Sequence, residues 1–350
     1  MKVISVEDTI YCKKSLIIDV RSPSEYEEST IPGAINIPLF TNKEREELGT
    51  LYHTDKELAY EKGFKIGCSK LYDIYEQVKA LIEFKEQKVI IFCWRGGMRS
   101  KSIATNLSIT GLNVFQLKGG YKAYRRFILQ NLDKFKDKFY YYNLHGHTGV
   151  GKTILLNALK EKGEPVLDLE ELAKNRGSIF GSMGLGKPQS QKMFDSLLFN
   201  ELSNNTKDYF FIESESKRIG NIMLPDFLVD SMNKGEHILI KSSIEKRIQN
   251  IKKEYLPLEN KDNITSLILH NKFIIKKMGK DWVNQLLQSL YNEDYDYFIK
   301  MLLVDYYDPL YSFSEEKYQP YISTIYMDDF QKVANLLREK INNIDRNSNV

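Results

Sequence analysis

Lys88-Val89-Ile90-Ile91-Phe92-Cys93-Trp94-Arg95-Gly96-Gly97-Met98-Arg99-Ser100 is the stretch from which the fold is read. Val89 to Phe92 is a short apolar run, which predicts a strand buried on both faces, as in a parallel sheet. The strand stops at Cys93. Gly96-Gly97 lets the backbone curl tightly, and Ser100 to Leu107 has the composition of a helix, so loop N–H groups are expected to converge on the sulfur. That cradle, with Arg95 and Arg99 beside it, favours thiolate over thiol and makes Cys93 a candidate nucleophile. A structural cysteine closing a strand is the plain alternative, but it needs neither paired glycines nor flanking arginines.

Working outward, Ser15 to Val20, Ala34 to Ile37 and Val114 to Leu117 read as further short apolar strands separated by turns and helices, the pattern of an α/β domain. Leu71, Ile74, Val78, Leu81 and Ile82 fall on one helical face between Thr54 and Phe84. Gly119-Gly120 opens a helix whose outer face carries Lys122, Arg125 and Arg126. The charged run Asp133 to Lys138 follows, and the expected domains are 1–133 and 134–350.

Phe139 to Leu144 is the next expected strand. It feeds Gly146-His147-Thr148-Gly149-Val150-Gly151-Lys152-Thr153 and then a helix from Ile154 to Lys160. This is a P-loop: Gly146, Gly149 and Gly151 let backbone N–H groups wrap a diphosphate, Lys152 reaches its oxygens, and the Thr153 hydroxyl is placed for Mg2+. Tyr209 to Ile212 reads as a second buried strand, ending in Glu213-Ser214-Glu215-Ser216 where a metal-supporting acid would stand. Either Glu213 or Glu215 could serve, and a solvated strand end is the alternative. His145 and His147 have no partner at metal-ligand spacing and read as loop hydrogen-bonders; no residue set reads as a dedicated metal site. Asp168, Arg176 and Ser178 follow the first strand-helix unit, where a second substrate would bind, and the glycine-rich Gly181 to Gly186 reads as mobile. Lys246, Arg247, Lys252, Lys253, Lys272, Lys276 and Lys277 make the Lys241–Lys280 region basic, either as a solvated helical face or as a surface for RNA phosphates. Tyr306 to Tyr311 reads as an aromatic turn, for stacking or for packing.

The 350 residues are 42% hydrophobic, enough to bury two ordinary cores. With 50 basic against 47 acidic side chains, any nucleic-acid surface must be local. Three scattered cysteines exclude a disulfide framework and suit a reducing compartment, the cytoplasm. No signal pattern and no apolar run of membrane-spanning length is visible, so no membrane partner is expected.

The Cys93 loop, together with Asp19-Val20-Arg21 and Ile31-Pro32-Gly33-Ala34, resembles rhodanese-like sulfurtransferases, with Thr30 where many relatives carry histidine. The Cys-x5-Arg spacing to Arg99 matches that of cysteine phosphatases related to this fold. A rhodanese-like parallel-sheet domain followed by a P-loop NTPase-like α/β domain with a helical basic region resembles the tRNA 2-selenouridine synthase family over nearly the whole length. Gly49-Thr50-Leu51-Tyr52, Gly119-Gly120-Tyr121-Lys122-Ala123, Asp168-Leu169-Glu170, Arg176 to Gly181 and Glu213 to Ser216 carry the likeness, while Ser214 and Lys217 depart from it. The resemblance implies an enzyme that replaces the sulfur of wobble 2-thiouridine by selenium, through a geranylated intermediate. Geranyl diphosphate and selenophosphate would be substrates, with no tightly bound cofactor and Mg2+ as an option at the phosphate site, and tRNA and a selenophosphate supplier would be partners. Cys93 would carry selenium, Arg95 and Arg99 would hold selenophosphate, and Asp19 and Arg21 would lie at the substrate. Glu213 and Glu215 would complete the phosphate site, and Arg125, Arg126, Lys246, Lys252, Lys253 and Lys276 would meet RNA. A sulfurtransferase or cysteine phosphatase fused to a kinase-like P-loop domain is the alternative reading.

Overall fold

The computed structural model describes residues 1–350 apart from 177–179, 181–182, 184–185, 256–259, 311–316, 328–329 and 349–350. The expected Ser178, most of the Gly181–Gly186 stretch and Tyr311 lie outside the described residues. The chain forms two compact units, Met1–Asp133 with Ser190–Asn200, and Lys134–Gln189 with Glu201–Val350.

In the first unit, β1 (Lys2–Ile4), β2 (Leu16–Asp19), β3 (Ile35–Asn36), β4 (Val89–Phe92) and β5 (Val114–Leu117) form one parallel sheet in the order β1-β5-β4-β2-β3. The central β4 is fully buried, as its unbroken apolar run requires. Helices α1 (Asn42–Thr54), α2 (Lys56–Ala80), α3 (Met98–Ile109) and α4 (Gly120–Asn131) complete the layers, and Ile74 and Val78 of α2 join Ile18, Val89 and Ile103 in the core. The four expected strands are all present, although the one read at Ala34–Ile37 is only two residues long.

The second unit holds β6 (Tyr140–His145), α5 (Lys152–Glu161), β7 (Val166–Leu167), α6 (Leu169–Ala173), α7 (Gln191–Asn204), β8 (Tyr209–Glu213), the antiparallel pair β9 (Arg218–Ile219) and β10 (Ile222–Met223), α8 (Asp226–Lys234), β11 (Glu236–Lys241), α9 (Ile244–Tyr255) and β12 (Ser323–Tyr326). Its main sheet is parallel, in the order β12-β11-β6-β8-β7. The first part of α7 groups with the first unit. There Asp195 pairs with Arg125, Lys192 reaches Glu28 at 2.5 Å, and the Phe199 ring meets Phe127 at 6.0 Å. That assignment departs from a simple 134–350 domain, because a run of buried side chains, Phe194 and Leu198 among them, does not name the core it enters.

After α9, four short helices between Lys261 and Met301 close an apolar cluster with the π-helical Leu302–Tyr307. The aromatic turn expected at Tyr306 is therefore helix, with Tyr306 and Tyr307 buried. Among the described residues no helix is long and apolar enough to cross a membrane.

Candidate functional sites: a cysteine loop and a P-loop cavity

Cys93 leaves the end of β4 only 3% exposed. The groups at its sulfur are the Ser100 hydroxyl, 3.2 Å away, and the Gly97 carbonyl at 4.0 Å. Gln116, on β5, donates its amide to Ser100 Oγ at 2.9 Å and to the Gly96 carbonyl at 2.9 Å. Because the Gln116 amide is the donor, the Ser100 proton is left to point at the sulfur or at Gly97. Helix α4 ties the loop from below: Tyr121 N donates to Cys93 O at 2.9 Å and Lys122 N to Trp94 O at 2.8 Å.

Among the described residues neither expected arginine hydrogen-bonds to the sulfur. Arg95 is exposed, and Arg99 is held by Glu25, with contacts of 2.7 and 3.3 Å. Burial alone would raise Glu25, but the hydrogen bond and charge of Arg99, a backbone N–H from Ser22 and the charge of Arg45 hold its carboxyl below the usual range. Asp19 and Arg21, expected at a substrate, are 0% and 1% exposed and saturate each other through three side-chain contacts of 2.6 to 3.1 Å. Arg21 also donates to the Ser29 carbonyl and lies 4.3 Å from the Tyr121 ring centre, while Thr30 donates to Asp19. The pair braces the loop's scaffold and leaves neither group for a ligand.

In the second unit a cavity of about 620 Å3 opens at the P-loop. Gly149 and Gly151 have φ of +81° and +95°, and a Cβ at Gly149 would sit 2.9 Å from Ile251 Cδ1, so the loop is wound closely against α9. Helix α9 also grips it by hydrogen bonds, with Arg247 Nε on Thr148 O and Asn250 Nδ2 on Gly149 O, both 2.9 Å. Arg247 is a two-pronged partner of Asp308, at 2.6 and 2.9 Å, and His147 Nδ1 lies 3.1 Å from the same carboxylate. Burial would raise Asp308, but those two partners outweigh it and hold it at about 2. Arg247, read as part of a basic surface, is thus a buried clamp, and His147 is the loop hydrogen-bonder expected.

Lys152 Nζ donates to Gly146 O at 2.9 Å and lies 3.9 Å from Glu213, whose other oxygen accepts from Thr153 Oγ1 at 2.7 Å. Glu170, Glu213 and Glu215 place carboxylate oxygens within 4.8 Å of one another. Burial and mutual repulsion push Glu170 and Glu215 well above the usual carboxylate range. A hydroxyl and three crowded carboxylates are a hard, all-oxygen donor set, which fits Mg2+. Sequence reasoning named Asp168 and passed over Glu170. Asp168 instead caps α6, accepting from Glu171 N at 2.8 Å, and burial first, then Glu213 and Glu171, raise it to about 6. Two residues along, Glu170 lines the cavity. Arg176 lines it too, 3.0 Å from Glu254.

Of the residues expected to meet RNA, Arg126, Lys246, Lys253 and Lys276 are exposed, whereas Arg125 is bound to Asp195 and Lys252 reaches Asp296 at 2.8 Å.

The fold and these two sites define a class, a protein that joins a rhodanese-like domain to a P-loop domain. The rhodanese-like domain family matches residues 5–127, and the tRNA 2-selenouridine synthase AAA domain family matches residues 139–344. The chain belongs to the tRNA 2-selenouridine synthase family. Proteins of that name from Nitrosomonas europaea and Hydrogenovibrio crunogenus are 29% and 28% identical to it, over 88% and 95% of this chain and 91% and 98% of theirs. A crystal structure of an N-terminal domain from Clostridium difficile 630 is 47% identical and covers 37% of this chain and 99% of that one, with a TM-score of 0.35.

Proposed function

We propose that this chain is a tRNA-modifying transferase that replaces the sulfur of wobble 2-thiouridine by selenium, with a geranylated base as intermediate. The relatives' shared name brings tRNA and selenouridine to this reading. The observation that carries the prenyl step is the junction of a phosphate cradle with an apolar crevice in the second unit. The crevice, about 60 Å3, shares Thr148 and Ile251 with the P-loop cavity and is walled by Phe180, Met183, Phe298 and Leu302. The crevice walls are mainly apolar, so a diphosphate ester of a short apolar chain suits both compartments, its diphosphate at the P-loop and its chain in the crevice.

The chemistry follows from what the side chains can do. The thiocarbonyl sulfur forms a bond to the allylic carbon as that carbon's C–O bond breaks, and diphosphate leaves with the electron pair. Lys152 and the P-loop amides meet the charge that builds on its oxygens. Mg2+ held by Thr153 and Glu213, with Glu170 and Glu215 beside them, would neutralise part of that charge. Alkylation makes the sulfur a good leaving group. At the loop of Cys93, fixed by Ser100 and Gln116, the selenium of selenophosphate then attacks C2; the C2–S bond breaks, the geranyl thiol departs with that electron pair, and the phosphoryl group passes to water, leaving selenium on the base and releasing phosphate.

Mass spectrometry of wobble nucleosides tests this reading, after incubation of the protein with 2-thiouridine tRNA, geranyl diphosphate and selenophosphate. Geranylated 2-thiouridine followed by 2-selenouridine is expected. Dependence on added ATP with geranyl diphosphate dispensable would return the P-loop to nucleotide chemistry, and release of phosphate from an aryl phosphate by Cys93 would make the first unit a phosphatase.

A further inference from the structure

The wall of the P-loop cavity includes a histidine pair for which the steps above have no use. His145 ends β6 and His237 lies on the neighbouring β11; His145 Nε2 and His237 Nδ1 are 2.8 Å apart. Both line the cavity. The Tyr318 ring covers them, 4.7 Å from His145 and 4.5 Å from His237, and its hydroxyl is held by Asn233 Oδ1 at 2.9 Å.

Their hydrogen bonds fix the tautomers. His237 Nε2 faces the Asn233 carbonyl at 3.4 Å, and a carbonyl can only accept, so His237 carries its proton on Nε2. Its Nδ1 is then an acceptor, and the 2.8 Å contact requires His145 to donate from Nε2. His145 Nδ1 is left as a bare lone pair, with no hydrogen bond among the described residues, on a residue that lines the cavity.

The prenyl step needs such an acceptor. Forming the new C–S bond leaves the base positively charged, and neutrality returns only when the ring N3–H proton is lost. The other carboxylates at the cavity are committed: Glu170, Glu213 and Glu215 surround the cation and phosphate position, Glu254 is paired with Arg176, and Asp308 is bound to Arg247 and His147.

We propose that His145 and His237 form a proton relay for prenyl transfer, His145 Nδ1 taking the N3 proton of the alkylated base while its Nε2 proton passes to His237 Nδ1. This rests on the prenyl-transfer reading of the cavity. Bonds and charges balance: N3–H breaks, Nδ1–H forms on His145, and the positive charge leaves the base to settle on His237. Burial, joined by Lys317, lowers His237 overall, and the Asn233 carbonyl and Glu236 work against that by favouring its charge. His145 stays neutral at rest because burial, and then the facing His237, Lys152 and Lys317, push it down to about 3. Its Nδ1 is therefore open to a proton from a cationic ring. His145 is the catalytic member and His237 the positioning one.

The test is a single-turnover measurement with 2-thiouridine tRNA and geranyl diphosphate across the pH range, on the full chain. His145→Gln is expected to lower the rate roughly 10²- to 10⁴-fold while leaving the geranyl diphosphate Kd unchanged. His237→Gln is expected to be slower than wild type and to move the acid limb of the profile. Full rate and an unchanged profile in folded His145→Gln would overturn the relay. Long-range ¹H–¹⁵N NMR of histidine-labelled protein gives an independent reading that needs no turnover. Nε2–H on both rings is expected, and Nδ1–H on His145 would overturn the proposal even if the variant failed to fold. Absence of any geranylated product from wild type would instead sink the prenyl-transfer reading, and the NMR tautomers would still decide the relay's geometry.

Discussion

At the scale of the residue, Gly120 shows how little room the cysteine loop has. Its φ is +60°, and a Cβ there would stand 2.2 Å from Cys93 O and 2.4 Å from Gly96 N. Gly120→Ala must therefore pay both backbone strain and a collision with main chain that cannot swing aside, a loss of at least about 2–3 kcal/mol. Gly111→Ala is the control, because its φ is +89° with nothing within 4 Å, so only the strain of about 1–2 kcal/mol remains. Thermal melting should rank the two, and iodoacetamide should label Cys93 faster in the Gly120 variant alone. The carboxylate cluster makes a second residue-scale forecast. Glu170 and Glu215 are raised in the folded state, so the native protein holds protons that the unfolded chain releases. Stability is then full below the unfolded value of 4.5 and falls as pH rises toward and past neutral. Mg2+ should raise the melting temperature more at about pH 8 than at about pH 6, because it replaces those protons. Glu170→Gln should flatten the pH dependence and remove most of the Mg2+ shift, gaining about 2–4 °C per kcal/mol relieved in the metal-free protein. A Mg2+ response that Glu170→Gln leaves intact would take that residue out of the cation site.

At the scale of the element, α9 presents two different faces. Arg247, Asn250 and Ile251 face the P-loop, while Lys246 and Lys253 face solvent. Charge reversal at Lys246 and Lys253 should weaken all cognate tRNAs alike and reduce the salt dependence of binding, since phosphate contacts position without specifying. Asp308→Ala acts on the other face. It removes the partner of a buried guanidinium, costing about 2 kcal/mol, and should raise the Kd for geranyl diphosphate by loosening Thr148, with RNA affinity unchanged. Equal effects of the two variants on RNA and diphosphate would contradict the division of faces. A helical basic region was legible in the sequence, and the grip of one of its faces on the P-loop was not. Periodicity assigns Arg247 and Lys246 to different faces, but the acid that buries Arg247 stands far along the chain in a stretch that reads as an aromatic turn. Cys93, Lys152 and Thr153 were legible because their loops are local and their spacing is chemical. Ser100 was quoted only as part of the loop, while Gln116 and Glu25 escaped notice because their partners arrive by sheet register and helix packing. Glu170 was overshadowed by Asp168, which local geometry turns into a helix cap.

At the scale of the whole molecule, the Cys93 sulfur and the P-loop lie in separate compact units, and the proposed reaction assigns one step to each. Lys152→Ala should block geranylation, because the ammonium that meets the departing diphosphate is gone, and with it selenation of unmodified 2-thiouridine tRNA. The same variant should still accept tRNA geranylated beforehand, since displacement at C2 relies on Cys93 and its loop. Cys93→Ala should behave in the opposite sense, forming the geranylated base at the wild-type rate and accumulating it without selenouridine. The two variants are informative together only if each melts like the parent. Cys93 meets this condition more easily: its sulfur touches Ser100, whose hydroxyl keeps Gly97 O as an alternative acceptor at 3.3 Å. Lys152→Ala removes a charge that favours the ionised forms of Glu170 and Glu215, so its melting curve should be recorded at about pH 6 and about pH 8, with any loss largest at the higher pH. Refusal of pre-geranylated tRNA by a folded Lys152→Ala protein, or loss of geranylation in Cys93→Ala, would mean that the two steps share groups across the units and that the assignment of one step to each is wrong.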